Sequence, residues 1–599
     1  MSLRISPGAG CALLLATISL FVSGQQPSAS SNPRTAIGDR QRRLHSLLDE
    51  EWDYELRTDP ERATAYGDNR YNDRLGSYSV ESIRSDLENR RKFLARLNAL
   101  DAAGLSPEDA LSRALLIRNL REQIEEARFK PWEMPVNQRS GPHLSLPDLV
   151  TLTPFATTAD YDNYLARLHQ VPRIFDEVTG NLRQGMRDGL MPPRYLLEKV
   201  AAQAAEVGSQ SAGASPFARP LESFPVGVPA VEQKRLREAL VAVIRDKVLP
   251  AYRRFARFVS REYAPHGRAE PGIWSLPEGA ARYRFEIRRL TTTDFTPDQL
   301  HEMGLKLVAE AEAEMVALAH QLGFADLAGL NNHIRNERRF YAASGEQLLE
   351  LYATYSRQME TELPKMFGRL PGNRLSVIPM DPFRAPDAVP ADYTAGAADG
   401  SRPGRINVNE WDPQHRLLLN VEAIAYHEGI PGHHLQISIG QELPGLPAFR
   451  RHTEYTAFVE GWALYAERLA KELGFYQDPY SNYGRLENEM WRAIRLVVDT
   501  GVHEKHWSRD RMVEFFHRYT AMDEPNIQTE VDRYIAWPGQ ALAYKLGQLE
   551  ILKLRDQARQ KLGKRFDIRA FHDEVLGHGA LPLDVLDSLV NTWIDTQAR

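Results

Sequence analysis

The chain has 599 residues, 43% hydrophobic and 26% charged, with a formal net charge of −6. These are ordinary globular proportions, and the acidic balance excludes nucleic acid as a main partner, because phosphate binding wants a basic face. The one cysteine, Cys11, excludes an internal disulfide, so any metal held by the mature chain must use His, Asp or Glu.

The N-terminus reads MSLRISPGAGCALLLATISLFVSGQQ. Arg4, the apolar run from Cys11 to Val22 and the small residues near Gly24 resemble a secretory signal peptide over residues 1–24. Cys11 opens the apolar run rather than following it, which does not match a lipoprotein cysteine. The polar stretch 25–42 is expected to be a disordered leader. No later segment is apolar enough to span a bilayer. The expected location is exported, periplasmic or secreted, with no membrane contact beyond the signal.

From about 43 onward the pattern is helical. Leu44, Leu48, Trp52 and Leu56 recur at helical spacing. Ser106 is placed to cap the next-but-one helix, with Asp109 completing a capping box. The same texture covers 159–207, 231–265, 296–320 and 345–367. Two strands are expected, in ARYRFEIRRLT (281–291) and in RPGRINVNEWDP (402–413). The Gly/Ser/Pro-rich stretch 208–230 is expected to be a long loop: a linker, a lid or a plain surface excursion.

The chemistry concentrates at YHEGIPGHHLQ, Tyr426 to Gln436. His427-Glu428 opens like the zinc signature H-E-x-x-H, in which two histidines one turn apart hold zinc and the glutamate reaches its water. Here the fourth position on is Pro431, and the next histidines are His433 and His434. A helix through RLLLNVEAIAYHE should end at Glu428, since Pro431 cannot continue it. On an unbroken helix His433 would face the wrong way, and His434 would lie about 10 Å along the axis. Two residues looped out at Gly429–Gly432 would instead bring His433 to the ligand position; spacing alone leaves His433 or His434 open. A third ligand is found in TEYTAFVEGWALYAERLAKELG, where Glu460 sits among Phe458, Val459 and Trp462. A carboxylate in that company wants a cation. Glu467, two turns on, is placed to support the site. The segment GVHEKHW has a histidine spacing that does not fit the same helix, and is not expected to be the primary metal site.

HEGIPGHHLQ, EGWALYAE, DTGVH and YIAWPGQALAYKLG together resemble the bacterial family known as domain of unknown function 885, over nearly the whole mature chain. That family is similar to the helical gluzincin peptidases: thimet-type oligopeptidases, angiotensin-converting enzyme and carboxypeptidase Taq. The resemblance implies a mainly α, two-lobed zincin-like metallopeptidase fold over 43–599, with a deep central channel and a small β-sheet at its wall. It implies an active site within 400–550 and a Zn2+ cofactor held by His427, His433 and Glu460, which favours His433 over His434. Glu428 maps onto the general base.

The activity so implied is hydrolysis of short peptides, the channel excluding folded proteins, with no implication for oligomeric state. His503, Arg533, Tyr534 and Tyr544 are the candidates for stabilising the oxyanion, each with a structural alternative; Arg533 also suits a substrate carboxylate. The strand GRINVN offers an edge on which an extended peptide can pair. A scaffold that kept the fold without catalysis, and an amidase acting on a non-peptide amide, are the alternative functions; the presence of Glu428 speaks against the first.

Overall fold

The computed structural model describes residues 33–382, 384–398 and 400–599. The expected signal peptide lies outside the described residues. The leader expected to be disordered at 25–42 is helical from Pro33, where the helix Pro33–Thr58 begins. Its first turns are tied down by Gln41, which donates to Asp109 at 3.2 Å, and by Leu44, which is fully buried. A polar composition does not prevent a helix that tertiary contacts extend.

The architecture is mainly α-helical with one small sheet. Helices Pro33–Thr58, Val80–Ala99 and Pro107–Glu126 share a core with the C-terminal helices Leu542–Leu562 and Leu583–Ala598. The first and last helices of the described residues therefore close one apolar cluster. Ser106 caps its helix by accepting from Asp109 N at 3.0 Å, but Asp109 turns its carboxylate to Gln41 and His45 instead of completing a box. A second core gathers residues between Leu75 and Ala264. A third joins Pro297–Gln321 to the long helix Pro479–His503. No helix among the described residues is long and apolar enough to cross a membrane.

The stretch 208–230 is not an open loop. It carries a 3-10 turn, Pro216–Leu221, with Phe217, Ala218 and Leu221 buried. Tyr161 and Tyr164 donate to the carbonyls of Pro220 and Phe217 at 3.2 and 3.0 Å. These contacts fix it to the second core.

The strand expected at 281–291 is instead a helix, Gly279–Thr291. Tyr283, Phe285 and Ile287 alternate as in a strand, yet Tyr283, Ile287 and Thr291 also fall at four-residue spacing and are all buried. A short apolar alternation satisfies both periods, and the packing decides. The sheet holds β1 (Leu375–Pro379), β2 (Ala391–Thr394) and β3 (Gly404–Val408), in the order β1-β3-β2. β3 is the strand expected at 402–413, in narrower bounds. It runs parallel to β1, with Val377 opposite Ile406, and antiparallel to β2, with Tyr393 opposite Ile406. β3 is thus the central strand, and the edge expected on it for a peptide is already used on both sides.

Two glycines bring the site's helices together. A Cβ on Gly461 would lie 2.4 Å from the Gly547 Cα, and one on Gly547 would lie 1.7 Å from the Ala457 carbonyl oxygen. Helices Thr456–Glu472 and Leu542–Leu562 therefore cross backbone to backbone. Only glycine fits at that crossing, and Glu460 stands one residue from it.

Candidate metal centre

The helix Val421–Glu428 stops at Glu428, and a new one, His433–Glu442, starts at His433. Between them Gly429–Gly432 form the loop that Pro431 demands. Gly432 is forced: a Cβ there would sit 2.0 Å from the His427 carbonyl oxygen. The loop is pinned by Trp462, whose Nε1 donates to the Pro431 carbonyl at 2.8 Å. The interruption restores what the spacing took away. His427 and His433 face each other edge to face, ring centroids 4.8 Å apart.

His427, His433 and Glu460 present ligand atoms that all lie within 4.8 Å of one another. Oε2 of Glu460 is 3.4 Å from Nε2 of His427 and 3.4 Å from Nε2 of His433. Both separations are long for a charge-assisted hydrogen bond. They match the spacing of about 3.3 Å between ligands of a tetrahedral ion at zinc–nitrogen and zinc–oxygen bond lengths. Oε2 is buried and has no hydrogen-bond partner. Burial alone would raise the Glu460 carboxyl, but the two imidazoles hold it well below its usual range. The donor set and its spacing fit a divalent ion of the zinc type.

His427 is oriented from behind. Its Nδ1 is 2.8 Å from Oε1 of Glu467. Glu467 is fully buried, receives Asn488 Nδ2 at 3.1 Å and lies 3.2 Å from Nη2 of Arg492. A carboxylate so held keeps the proton of His427 on Nδ1 and leaves Nε2 free for a metal. His434 is used elsewhere. Its Nδ1 is 3.0 Å from the Tyr393 hydroxyl and its Nε2 is 3.1 Å from the Asn373 carbonyl. Both nitrogens are occupied by the sheet side of the fold, and of the two histidines it is His433 that stands beside His427 and Glu460.

A cleft of about 270 Å3 opens over these residues. Glu428, Arg533 and Tyr544 line it, together with Arg139, Asp392, Tyr393, Arg492 and Arg495. Burial pushes the Glu428 carboxyl up to about 8; His433 opposes this and Glu460 adds to it. The Tyr544 ring stacks on His427 with centroids 6.2 Å apart, and its hydroxyl accepts from Arg533 Nη2 at 2.7 Å. The Tyr544 proton is thereby left for another acceptor.

Two expected site residues are not in the cleft. His503 is buried, with Nδ1 accepting from Ile273 N at 3.0 Å and Nε2 held 2.9 Å from the Tyr534 carbonyl. It ties two backbone segments together. Tyr534 is buried as well; its hydroxyl donates to Glu530 at 2.6 Å and accepts from Trp491 and Arg495 at 2.9 and 3.0 Å. Arg533 and Tyr534 are neighbours on one helix, with about 100° between their side chains; Arg533 lines the cleft and Tyr534 does not. Tyr534 orders the arginines around Glu530 instead. His506, also from GVHEKHW, stacks on Trp274 at 3.9 Å.

Sequence reasoning missed Arg139, Arg492, Arg495 and Glu530. Arg492 and Arg495 sit in MWRAIRLVV, where charges inside an apolar helix were a usable signal. Arg139, in a polar turn, gave none.

The family model described as a bacterial protein of unknown function (DUF885) matches residues 60–590. The chain belongs to that family. The crystal structure of a candidate lipoprotein from Colwellia psychrerythraea is similar at 29% identity and a TM-score of 0.89, covering 93% of this chain and 99% of that one. A candidate lipoprotein of unknown function from Shewanella oneidensis shares the fold at 17% identity and a TM-score of 0.69, covering 92% of this DUF885 chain and 99% of its own. No curated protein matches.

Proposed function

We propose that this DUF885 protein is an exported zinc-dependent peptidase that hydrolyses short peptides. The carrying observation is the set of His427, His433 and Glu460, with two 3.4 Å separations and an orphaned carboxylate oxygen, in the same cleft as Glu428. Zinc bound there would supply Lewis acidity at the scissile carbonyl and its attacking water. Glu428 takes a proton from the water and passes it to the leaving amine. The Tyr544 hydroxyl, fixed by Arg533, donates to the oxygen on which negative charge develops.

The cleft wall supports a peptide as substrate. Ala391, Asp392 and Tyr393 of β2 line it, and among the described strands β2 pairs only with β3. Its other edge is suited to main-chain pairing with an extended peptide. The two-lobed, zincin-like architecture with a central channel belongs to the same reading. So does export, which rests on the signal-like N-terminus and on the lipoprotein descriptions of both structural relatives.

The test is a peptide-cleavage screen on zinc-loaded protein, with Glu428→Gln as control. The reading expects cleavage of short peptides by the wild type and a loss of at least about 100-fold in Glu428→Gln with metal retained. Cleavage that survives Glu428→Gln unchanged, or none across a broad panel, contradicts it.

A further inference from the structure

Four arginines line the cleft: Arg139, Arg492, Arg495 and Arg533. Three are matched inside the fold. Nη2 of Arg492 is 3.2 Å from Glu467, Nη2 of Arg495 is 2.9 Å from Glu530, and Nη1 of Arg533 is 3.3 Å from the same Glu530. Three of the four cations thus share two carboxylates. Asp392, Glu428, Glu454 and Glu460 also line the cleft, but none forms an ion pair with any of the four.

Arg139 is the unmatched one. Among the described residues its guanidinium makes no hydrogen bond and no ion pair, and it rests over the Trp537 ring at 5.3 Å. Its Nε is buried without a partner, as are Nε of Arg533 and Nη1 of Arg495. Arg533 lies over the same ring at 6.0 Å. Burial and the like charge of Arg533 push the Arg139 pKa down to about 10, against the attraction of Glu530 and Asp392. A buried cation with no ion pair or hydrogen bond of its own is costly, and stacking on an indole compensates only in part. The free guanidinium fork of Arg139 matches a planar carboxylate, and Arg533, whose Nη atoms already donate to Glu530, Gln540 and Tyr544, adds positive charge beside it.

A second cavity, of about 490 Å3, shares Glu454 with the cleft. Its wall carries five glutamates, Glu51, Glu55, Glu122, Glu126 and Glu454, against Arg62 and Arg289. The second cavity is acidic, whereas the four arginines stand in the metal cleft. A zwitterionic chain reaching from one to the other would place its ammonium group at the glutamates and its carboxylate at the arginines.

We propose that the cleft takes the free C-terminal end of its peptide, with the α-carboxylate held by Arg139 and Arg533. This rests on the peptidase reading above and names the substrate end that the site recognises. Arg139 acts as a specificity residue and takes no part in proton transfer.

The test compares three peptides of one sequence on zinc-loaded wild type and Arg139→Ala. One has a free C-terminus, one a C-terminal amide, and one a C-terminal amide on a terminal Glu. The wild type should prefer the free acid over the plain amide by at least about 30-fold in kcat/KM, carried mostly by KM. Arg139→Ala should shrink that ratio to within about threefold, with Arg139→Lys recovering part of it. Calorimetric titration of Glu428→Gln with N-acetylphenylalanine and with its amide reads the same preference without catalysis. Equal cleavage of acid and amide overturns this inference and leaves the peptidase reading standing. Cleavage of the Glu-amide peptide as fast as the free acid moves the recognised carboxylate to a side chain and overturns the C-terminal assignment. If no peptide is cleaved, both readings fall.

Discussion

Nδ1 of His427 lies 2.8 Å from Oε1 of Glu467, two turns along the helix from Glu460. One helix therefore supplies both a carboxylate for the front of the imidazole and a carboxylate for its back. The arrangement favours the tautomer that leaves Nε2 free, and under the proposed function it gives Glu467 a part in metal binding although it touches no ligand position itself. Glu467→Gln should lower zinc affinity by about 10- to 100-fold, read by competition with a chromophoric chelator. An unchanged affinity would show that His427 needs no carboxylate behind it.

Tyr534 and Tyr544 make contrasting predictions. Tyr544 lines the cleft, whereas Tyr534 is enclosed by Glu530, Trp491 and Arg495. Tyr544→Phe should lower kcat by about 100-fold with zinc content and melting temperature unchanged. Tyr534→Phe should lower stability by about 1–3 kcal/mol, since it strips the Glu530 cluster of a buried hydroxyl. The reverse pattern would return Tyr534 to the oxyanion role.

Gly547→Ala places a methyl 1.7 Å from the Ala457 carbonyl oxygen. The helices must separate, and overpacking of this kind costs about 1–3 kcal/mol or more. Because Glu460 lies on the helix that has to move, zinc affinity should fall along with the melting temperature. A variant that melts lower yet binds zinc as tightly would show that Glu460 is positioned independently of the crossing.

His503 gives a pH prediction with a defined sign. Its Nδ1 accepts from a backbone N–H, so a proton there breaks the bond, and burial pushes its pKa down to about 3. The unfolded chain binds that proton near pH 6.5. The stability due to His503 is therefore present above about pH 6.5 and is lost as the pH falls towards 3. His503→Asn should be destabilised at pH 7.5, and its deficit against the wild type should shrink by about 1 kcal/mol at pH 5.5. A deficit independent of pH would mean that His503 titrates normally in the fold.

Much of the site was legible because its residues obey local rules. Pro431 had to end a helix, which placed the loop at Gly429–Gly432, and Glu460 sat in an apolar run. The choice of His433 over His434 was not legible from spacing, because it depends on Tyr393 and Asn373 claiming both nitrogens of His434. His503 and Tyr534 read as site residues because motif proximity says nothing of helical phase. The strand at 281–291 failed for a related reason: seven residues of alternation fit a buried helix equally well. The cationic wall was unreadable at Arg139, since a turn 290 residues upstream of the metal helix carries no sign that tertiary packing will bring it there.

The most direct measurement is the metal content of purified protein under zinc-replete conditions, for the wild type beside His433→Ala, His434→Ala and Glu460→Ala. The account predicts about one zinc per chain in the wild type and in His434→Ala, with loss in His433→Ala and Glu460→Ala. Zinc that follows His434, or a wild type that holds none, would contradict it.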